Sequence, residues 1–110
     1  MIHVIREKAT PKQIEEMLED LESYIKLAVD AGQEILAGGG TLHADCETAL
    51  LDAGSQQEDV WGADWIPSTQ EVRYESLINL RPAQGNLSIE LQDPQLRERI
   101  SVIVRRLLGE

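Results

Sequence analysis

The spacing of apolar residues predicts a helix near each end of the chain. Thr10 stands at an N-cap position before Pro11, and Gln13 is placed to satisfy the backbone N–H of the cap residue in return. Apolar residues then recur at helical spacing, and acidic residues take the opposite side. Asp93 and Pro94 form a second start of the same type, followed by an apolar stripe that continues to residue 108. We therefore expect an N-terminal and a C-terminal helix, each with one apolar face.

Between these helices the apolar residues alternate with polar ones, which predicts half-buried strands. The alternating segments are residues 25–30, 42–51, 73–81 and 87–91, and residues 2–5 form a further short β-branched segment. Turn-forming residues separate them at positions 30–32, 38–40, 52–55 and 82–86. Connections this short favour antiparallel neighbours. Residues 55–70 are too many for a tight turn, so we expect either a structured loop with one short strand near Val60 and Trp61 or a functional insertion there.

Together these elements predict a single domain of the α+β class over residues 1–110. Its sheet is expected to be antiparallel, mostly a meander, with the N-terminal and C-terminal helices packed on one face. The helices would cover the side that carries Ile25, Leu42 and Cys46. The opposite face would display polar and charged side chains to solvent: Lys26, His43, Asp45, Glu47, Arg73, Glu75, Asn79, Arg81 and Glu90.

The formal net charge of -10 narrows the classes of partner. Phosphate neutralisation dominates nucleic-acid affinity, and the longest basic run is Arg105 with Arg106, so we expect no nucleic-acid partner. Charge repulsion argues against anionic membrane surfaces, and no segment approaches the ~20 apolar residues of a membrane span. A single cysteine, Cys46, rules out an intrachain disulfide. With no secretion signal in the sequence, we expect a cytoplasmic protein.

The segment from His43 to Glu47 contains the residue types that most often bind metals. On a strand, however, Cys46 would point away from His43, Asp45 and Glu47. A zinc site needs three or four converging ligands, and the chain has only one other histidine, His3. We therefore expect no metal and no other cofactor at this segment.

The predicted polar sheet face has two interpretations. In the first, arginine, asparagine and histidine side chains form a pocket for an anion or a polar ligand, with Asp45 or Glu75 as base. In the second, the same side chains form cross-strand ion pairs on a solvated face, each stabilising the fold by less than about 1 kcal/mol. Ion pairing is the commoner arrangement of the two.

Trp61 and Trp65 are the strongest candidates for a contact surface, because indole side chains bury large areas at interfaces. Alternatively, the two tryptophans pack the loop that carries them over the open end of the hydrophobic core. The free edges and open face of a single-layer sheet also favour a homodimer. The residues that we expect to bind a ligand or partner are His43, Asp45, Trp61, Asp64, Trp65, Arg73, Glu75, Asn79 and Arg81.

The segments AGGGTLHADCE, GSQQEDVWGADW, EVRYESLINLRPAQGN and LQDP resemble a small bacterial family of unknown function that is encountered mainly in cyanobacteria. The likeness spans nearly the whole chain. It implies no activity, substrate or cofactor. The family pattern has an arginine where this chain has Leu87, which argues against an anion site at residues 85–88.

These observations predict a binding or self-associating module. The alternative is an enzyme that acts on a small polar or anionic substrate through the polar sheet face. A concave site that contains both His43 and Arg81 would favour the enzyme, whereas Trp61 or Trp65 against a second chain would favour self-association.

Overall fold

The computed structural model describes all 110 residues and contains one five-stranded antiparallel sheet and three α-helices. The strands are β1 (His3–Ile5), β2 (Ile25–Asp30), β3 (Ile35–Gly40), β4 (Val60–Ile66) and β5 (Glu71–Arg73). The helices are α1 (Pro11–Met17), α2 (His43–Asp52) and α3 (Pro94–Leu108). Short 3₁₀ turns occupy Gln57–Asp59, Leu77–Asn79 and Pro82–Gln84. The predicted α+β class is confirmed.

The strand order is β1-β3-β2-β4-β5, and every neighbouring pair is antiparallel. The β2–β3 and β4–β5 links are hairpins, as in a meander. The β1–β2 link contains α1 and passes β3, and the β3–β4 link contains α2 and passes β2. Strand β2 is therefore at the centre of the sheet, with β3 on one side and β4 on the other.

Both terminal helices begin where the sequence predicts. Thr10 Oγ1 accepts a hydrogen bond from the Gln13 backbone N–H at 3.1 Å, and Gln13 Oε1 accepts one from the Thr10 backbone N–H at 2.9 Å. Asp93 Oδ1 accepts a hydrogen bond from the Gln95 N–H at 2.9 Å. These contacts satisfy N–H groups that have no partner inside the helix, so they define where each helix starts.

The sheet is covered on both faces, so the prediction of one open polar face is wrong. Helices α1 and α3 pack on the face formed by Ile25, Leu27 and Val29 of β2, as predicted for the terminal helices. Helix α2 packs on the other face, where Cys46 and Leu50 meet the small side chains of β2 and β3. Ala28 of β2 and Ala37 of β3 have small side chains, so α2 can approach this face of the sheet closely.

Residues 42–51 were predicted as a strand, and that prediction is wrong, because His43–Asp52 form helix α2. Leu42, Cys46 and Leu50 are four residues apart, a spacing that fits both a two-residue and a helical period. Only Cys46 and Leu50 are fully buried, whereas Leu42 is 57% exposed. Residues 43–52 therefore form a helix because Cys46 and Leu50 pack against the second face of the sheet, which the local alternation of apolar and polar residues does not reveal.

The three glycines at 38–40 form the end of β3, and the prediction of a turn there is wrong. A side chain at Gly38 would place its Cβ 2.7 Å from Leu27 Cδ2 and 3.0 Å from Ile25 Cγ2. Glycine is needed because the large side chains of β2 fill the space above this position.

The predicted strands at 73–81 and 87–91 are also wrong beyond Arg73. Residues 74–92 contain two short 3₁₀ turns within an otherwise irregular chain, with isolated antiparallel bridges at Glu75 with Glu90 and at Arg81 with Asn86. The short strand expected near Val60 and Trp61 is present but extends to Ile66, so the predicted loop is instead β4. Strand β5 covers β4 only from Asp64 to Ile66, which leaves the start of β4 to be paired by residues 74–92.

Candidate functional site

A polar cleft of about 430 Å³ opens at the start of α2, where His43 meets β4. It is lined by Lys26, His43, Asp64, Val72, Arg73, Tyr74, Glu75, Glu90 and Arg97, and we call it the His43–Asp64 cleft. Its volume is in the range of about 300 to 1,000 Å³ that is typical of small-molecule sites. His43, Asp64, Arg73 and Glu75 were predicted as binding residues, and the fold places all of them here.

The sheet register explains why these side chains converge. Lys26 of β2 is directly opposite Asp64 of β4, and Asp64 is directly opposite Arg73 of β5. Residues opposite each other on neighbouring strands point to the same face of a sheet. Lys26, Asp64 and Arg73 therefore form a row across the sheet, on the face that α2 covers, and His43 at the start of α2 reaches this row.

His43 and Asp64 form a largely buried hydrogen-bonded pair at the wall of the cleft. His43 Nε2 is 2.8 Å from Asp64 Oδ1 and 3.1 Å from the Ala63 carbonyl oxygen, and the two side chains are 12% and 14% exposed. A carboxylate and a carbonyl can only accept hydrogen bonds, so Nε2 must carry the proton that it shares between them. Nδ1 has no hydrogen-bond partner in the protein and is not fully buried.

The cleft also gathers cationic side chains that have no ionic partner. Lys26, Arg73 and Arg97 are three of the ten Lys and Arg residues of the chain, and none of them forms an ion pair with a carboxylate. Arg97 comes from α3, and its guanidinium carbon is 4.4 Å from the centroid of the Tyr74 ring. This cation–π contact orients the guanidinium without neutralising its charge.

Arg81, a predicted binding residue, does not line this cleft. Its five N–H groups all have acceptors: Nε donates to Ile78 O at 2.8 Å, Nη1 to Gln57 O at 2.9 Å and to Gln84 Oε1 at 3.4 Å, and Nη2 to Glu47 Oε2 at 3.2 Å and to Val60 O. Its guanidinium also stacks on the Trp61 ring at 4.5 Å. Burial lowers the pKa of Arg81, and the nearby Glu47 carboxylate opposes that effect. With no free donor, Arg81 anchors the 74–92 segment to β4.

Asn79, another predicted binding residue, is fully buried and also pairs with β4. Its Oδ1 accepts from the Gly62 N–H at 2.7 Å, and its Nδ2 donates to the Gly62 carbonyl at 3.0 Å and to the Tyr74 carbonyl at 3.2 Å. The side-chain amide thus makes the two hydrogen bonds that a neighbouring strand residue would make. A Cβ at Gly62 would be 2.5 Å from Ser76 Cβ, so only glycine allows this close approach.

The remaining predicted residues lie away from the cleft. Asp45 is exposed in the first turn of α2, where a negative charge stabilises the helix dipole. Trp61 and Trp65 are only 6% and 1% exposed and pack in the core beneath α1 and α3. In this chain their rings therefore fill the core, which leaves little indole surface for a partner.

Some cleft residues were outside the predicted binding set. Lys26 and Glu90 were expected on the polar sheet face, but nothing singled them out as binding residues. Tyr74 was expected within the strand over residues 73–81 but not among the binding residues, and Arg97 lies on a helix predicted only for its apolar stripe. Their convergence depends on how α3 packs beside β5.

The potential metal ligands of the His43–Glu47 segment do not converge on α2. Cys46 is fully buried, and its Sγ donates to the Lys26 carbonyl at 3.4 Å. Burial raises the pKa of the Cys46 thiol, which disfavours the thiolate that metal binding or nucleophilic attack requires. No group of three or more His, Cys, Asp or Glu side chains is arranged to hold a metal ion.

A comparison with protein families places this arrangement in a known group. The family described as Protein of unknown function (DUF5674) matches residues 3–107. The chain belongs to this family. The resemblance to a family of unknown function is thereby confirmed, and its bacterial, mainly cyanobacterial, distribution stays a prediction. No curated protein and no solved structure matches the chain. None of its helices is both long enough and apolar enough to cross a membrane.

Proposed function

We propose that this protein binds a small anionic molecule in the His43–Asp64 cleft. The observation that supports this proposal is the convergence of Lys26, Arg73 and Arg97 on one cavity without ionic partners. Arg81 is the only one of the ten Lys and Arg residues that forms an ion pair, so the distinguishing feature of these three cations is that they converge on one cavity. An anion that bridges two of them would gain charge-assisted hydrogen bonds, which are about twice as strong as neutral ones.

The carboxylates of the cleft limit which anions fit. Asp64 is held by His43, whereas Glu75 and Glu90 are exposed and carry no ionic partner. They repel an anion that fills the whole cleft, and they attract a ligand that also carries hydroxyl or amino groups. A small polar molecule with one carboxylate or phosphate group therefore suits the lining best. Because the cations are partly exposed, we expect the affinity to fall as salt is raised.

The first prediction tests this binding with inorganic phosphate and with succinate as probes. Titration of isotope-labelled protein at low salt should shift the backbone resonances of Lys26, His43 and Arg73 more than those elsewhere. Arg97→Gln should weaken the binding by about tenfold, since a hydrogen bond to a charged group contributes about 1.5 to 3 kcal/mol. Arg99→Gln is the matched control, because Arg99 is on the same helix and exposed but does not line the cleft. Equal losses in both variants, or no shifts at the cleft, would contradict the proposal.

The His43–Asp64 pair supports a second candidate, an enzyme in which His43 acts as general base on the bound anion. Asp64 holds the Nε2–H proton at 2.8 Å, which leaves the Nδ1 lone pair of the neutral ring to accept a proton. A carboxylate that orients an imidazole in this way is a recurring arrangement in acid–base catalysis. The second role therefore requires Nδ1 to be reachable from the cleft.

Acylation with diethyl pyrocarbonate measures whether Nδ1 is reachable. We expect His43 to be modified in the native protein and phosphate to slow that modification several-fold. His3 is the internal control, because its Nε2 contacts Glu16 at 3.1 Å and it lies outside the cleft. Mass spectrometry of the two histidine peptides separates the rates. An inert His43, or equal slowing at His3, argues against the catalytic role.

Self-association and a cytoplasmic location also belong to this proposal. The burial of Trp61 and Trp65 removes the contact surface first expected for a dimer. The exposed apolar side chains of Leu42, Leu77 and Leu87 are the remaining support for it, at 57%, 79% and 69% exposure. Sedimentation equilibrium measures the oligomeric state directly.

A further inference from the structure

A second cavity, of about 480 Å³, lies between the start of α1, the end of α3 and the turn that follows β4. Its apolar wall is formed by Pro11, Ile14, Trp65, Pro67 and Leu108. It shares no residue with the His43–Asp64 cleft. The two cavities therefore can be tested independently.

Trp65 gives this cavity a feature that ordinary apolar grooves lack. The residue is 1% exposed, and its Nε1 is the one buried side-chain nitrogen or oxygen in the protein without a hydrogen-bond partner. Buried indole N–H groups normally find an acceptor, because a donor shielded from water and left unpaired destabilises the fold. The structure thus contains a donor for which the chain itself supplies no acceptor.

Gln70, the uncharged polar side chain of this lining, already has partners within the chain. Gln70 Oε1 accepts from the Glu110 N–H at 2.9 Å, and Gln70 Nε2 donates to the Pro67 carbonyl at 2.9 Å. The Gln70 carbonyl accepts from Arg105 Nη1 at 2.7 Å. Trp65 lines the cavity and carries the one buried side-chain donor that the chain leaves without a partner.

We propose that this cavity binds a small, mainly apolar, uncharged molecule that carries one hydrogen-bond-accepting oxygen, with that oxygen on Trp65 Nε1. The apolar wall selects a molecule with little polar surface. Lys8 and Glu110 contribute one positive and one negative side chain to the lining, so the net charge favours neither sign. Nε1 is buried, so the oxygen reaches it only when a wall side chain shifts, and Ile14 is a wall residue that is only partly buried.

The test uses cyclohexanone as the probe and methylenecyclohexane, which has the same shape without the oxygen, as its control. The two tryptophans give two indole N–H resonances, assigned with Trp61→Phe. Cyclohexanone should move the Trp65 indole proton downfield and perturb the methyl groups of Ile14 and Leu108, while the Trp61 indole stays in place. The hydrocarbon should perturb the methyl groups without the downfield shift. A Trp65 indole that cyclohexanone leaves unchanged at saturation overturns the proposal.

Two variants locate the site. Trp65→Phe keeps an aromatic ring without the donor and should weaken cyclohexanone binding by about three- to tenfold, the factor of one neutral hydrogen bond, with methylenecyclohexane unaffected. Ile14→Phe should fill the cavity and abolish the binding of cyclohexanone and of methylenecyclohexane. Glu15→Phe, at an exposed neighbouring position, should leave the binding of both molecules unchanged. If cyclohexanone binds Ile14→Phe as tightly as the natural protein, the proposal is wrong. Should Trp65→Phe fail to fold, the indole shift in the natural protein decides alone.

Discussion

Replacing Asn79 with alanine should lower the free energy of unfolding by about 3 to 5 kcal/mol, and Asn79 is the polar position at which we expect substitutions to have the largest effect. The side-chain amide satisfies the N–H and C=O groups of Gly62 and the carbonyl of Tyr74. Asn79 is fully buried, so water cannot replace these hydrogen bonds without opening the structure. Each backbone group left unpaired would cost about 1 to 3 kcal/mol.

Two further variants separate this role from simple loss of contact. Leu77→Ala changes a 79% exposed side chain in the same 3₁₀ turn and should stay within about 0.5 kcal/mol of the natural protein. Asn79→Asp keeps the oxygen that accepts from the Gly62 N–H. Its second oxygen, however, would face the carbonyl oxygens of Gly62 and Tyr74 and repel them, so this variant should lose at least as much stability as Asn79→Ala. Urea unfolding followed by circular dichroism measures all three. A loss below about 1 kcal/mol for Asn79→Ala would show that Asn79 does not hold the 74–92 segment on β4.

Arg81→Lys should be the second most damaging change, with a loss of about 2 to 4 kcal/mol although the positive charge is kept. Lysine has no planar fork, so it cannot serve the carbonyls of Ile78, Gln57 and Val60 together. The loss of stability should come mainly from the hydrogen bonds to those three carbonyls, because a lysine at position 81 can still form the ion pair with Glu47.

The matched control for Arg81→Lys is Arg99→Lys, which changes an exposed arginine and should be nearly neutral in urea unfolding. Arg81→Lys should also leave the phosphate-induced shifts at Lys26 and Arg73 intact at temperatures where the variant is folded. If Arg81→Lys is as stable as the natural protein, Arg81 is free to serve a ligand, and its assignment as an anchor fails.

The helix starts could be predicted because capping depends on residues close together in sequence. Thr10 with Gln13, and Asp93 with Gln95, are at most three residues apart, and their side chains reach the free N–H groups without help from the rest of the fold. The alternation of Ile25, Leu27 and Val29 likewise predicts β2, because one apolar face is enough to define a strand.

The candidate site could be predicted only in part, since a polar side chain has the same bonding capacity whatever its partner. His43, Asp64, Arg73 and Glu75 do meet in one cleft. Arg81 and Asn79 look equally suited to a ligand in the sequence, but they bind backbone groups of β4 instead. An arginine or asparagine side chain forms hydrogen bonds with the backbone when the fold leaves unpaired backbone groups nearby, and otherwise it stays free to bind a ligand.

By itself, the sequence determined the class of the fold, the two capped helices, the buried aliphatic core and a polar region around His43 and Arg73. Only the tertiary structure decided that residues 43–52 form a helix, because Cys46 and Leu50 satisfy both periods until a second layer selects one of them. It also decided that β4 is bonded on its outer side before β5 begins, since the side chain of Asn79 makes the hydrogen bonds to Gly62 that a neighbouring strand would otherwise provide. Both decisions depend on contacts between residues distant in sequence, which no local pattern of apolar and polar residues records.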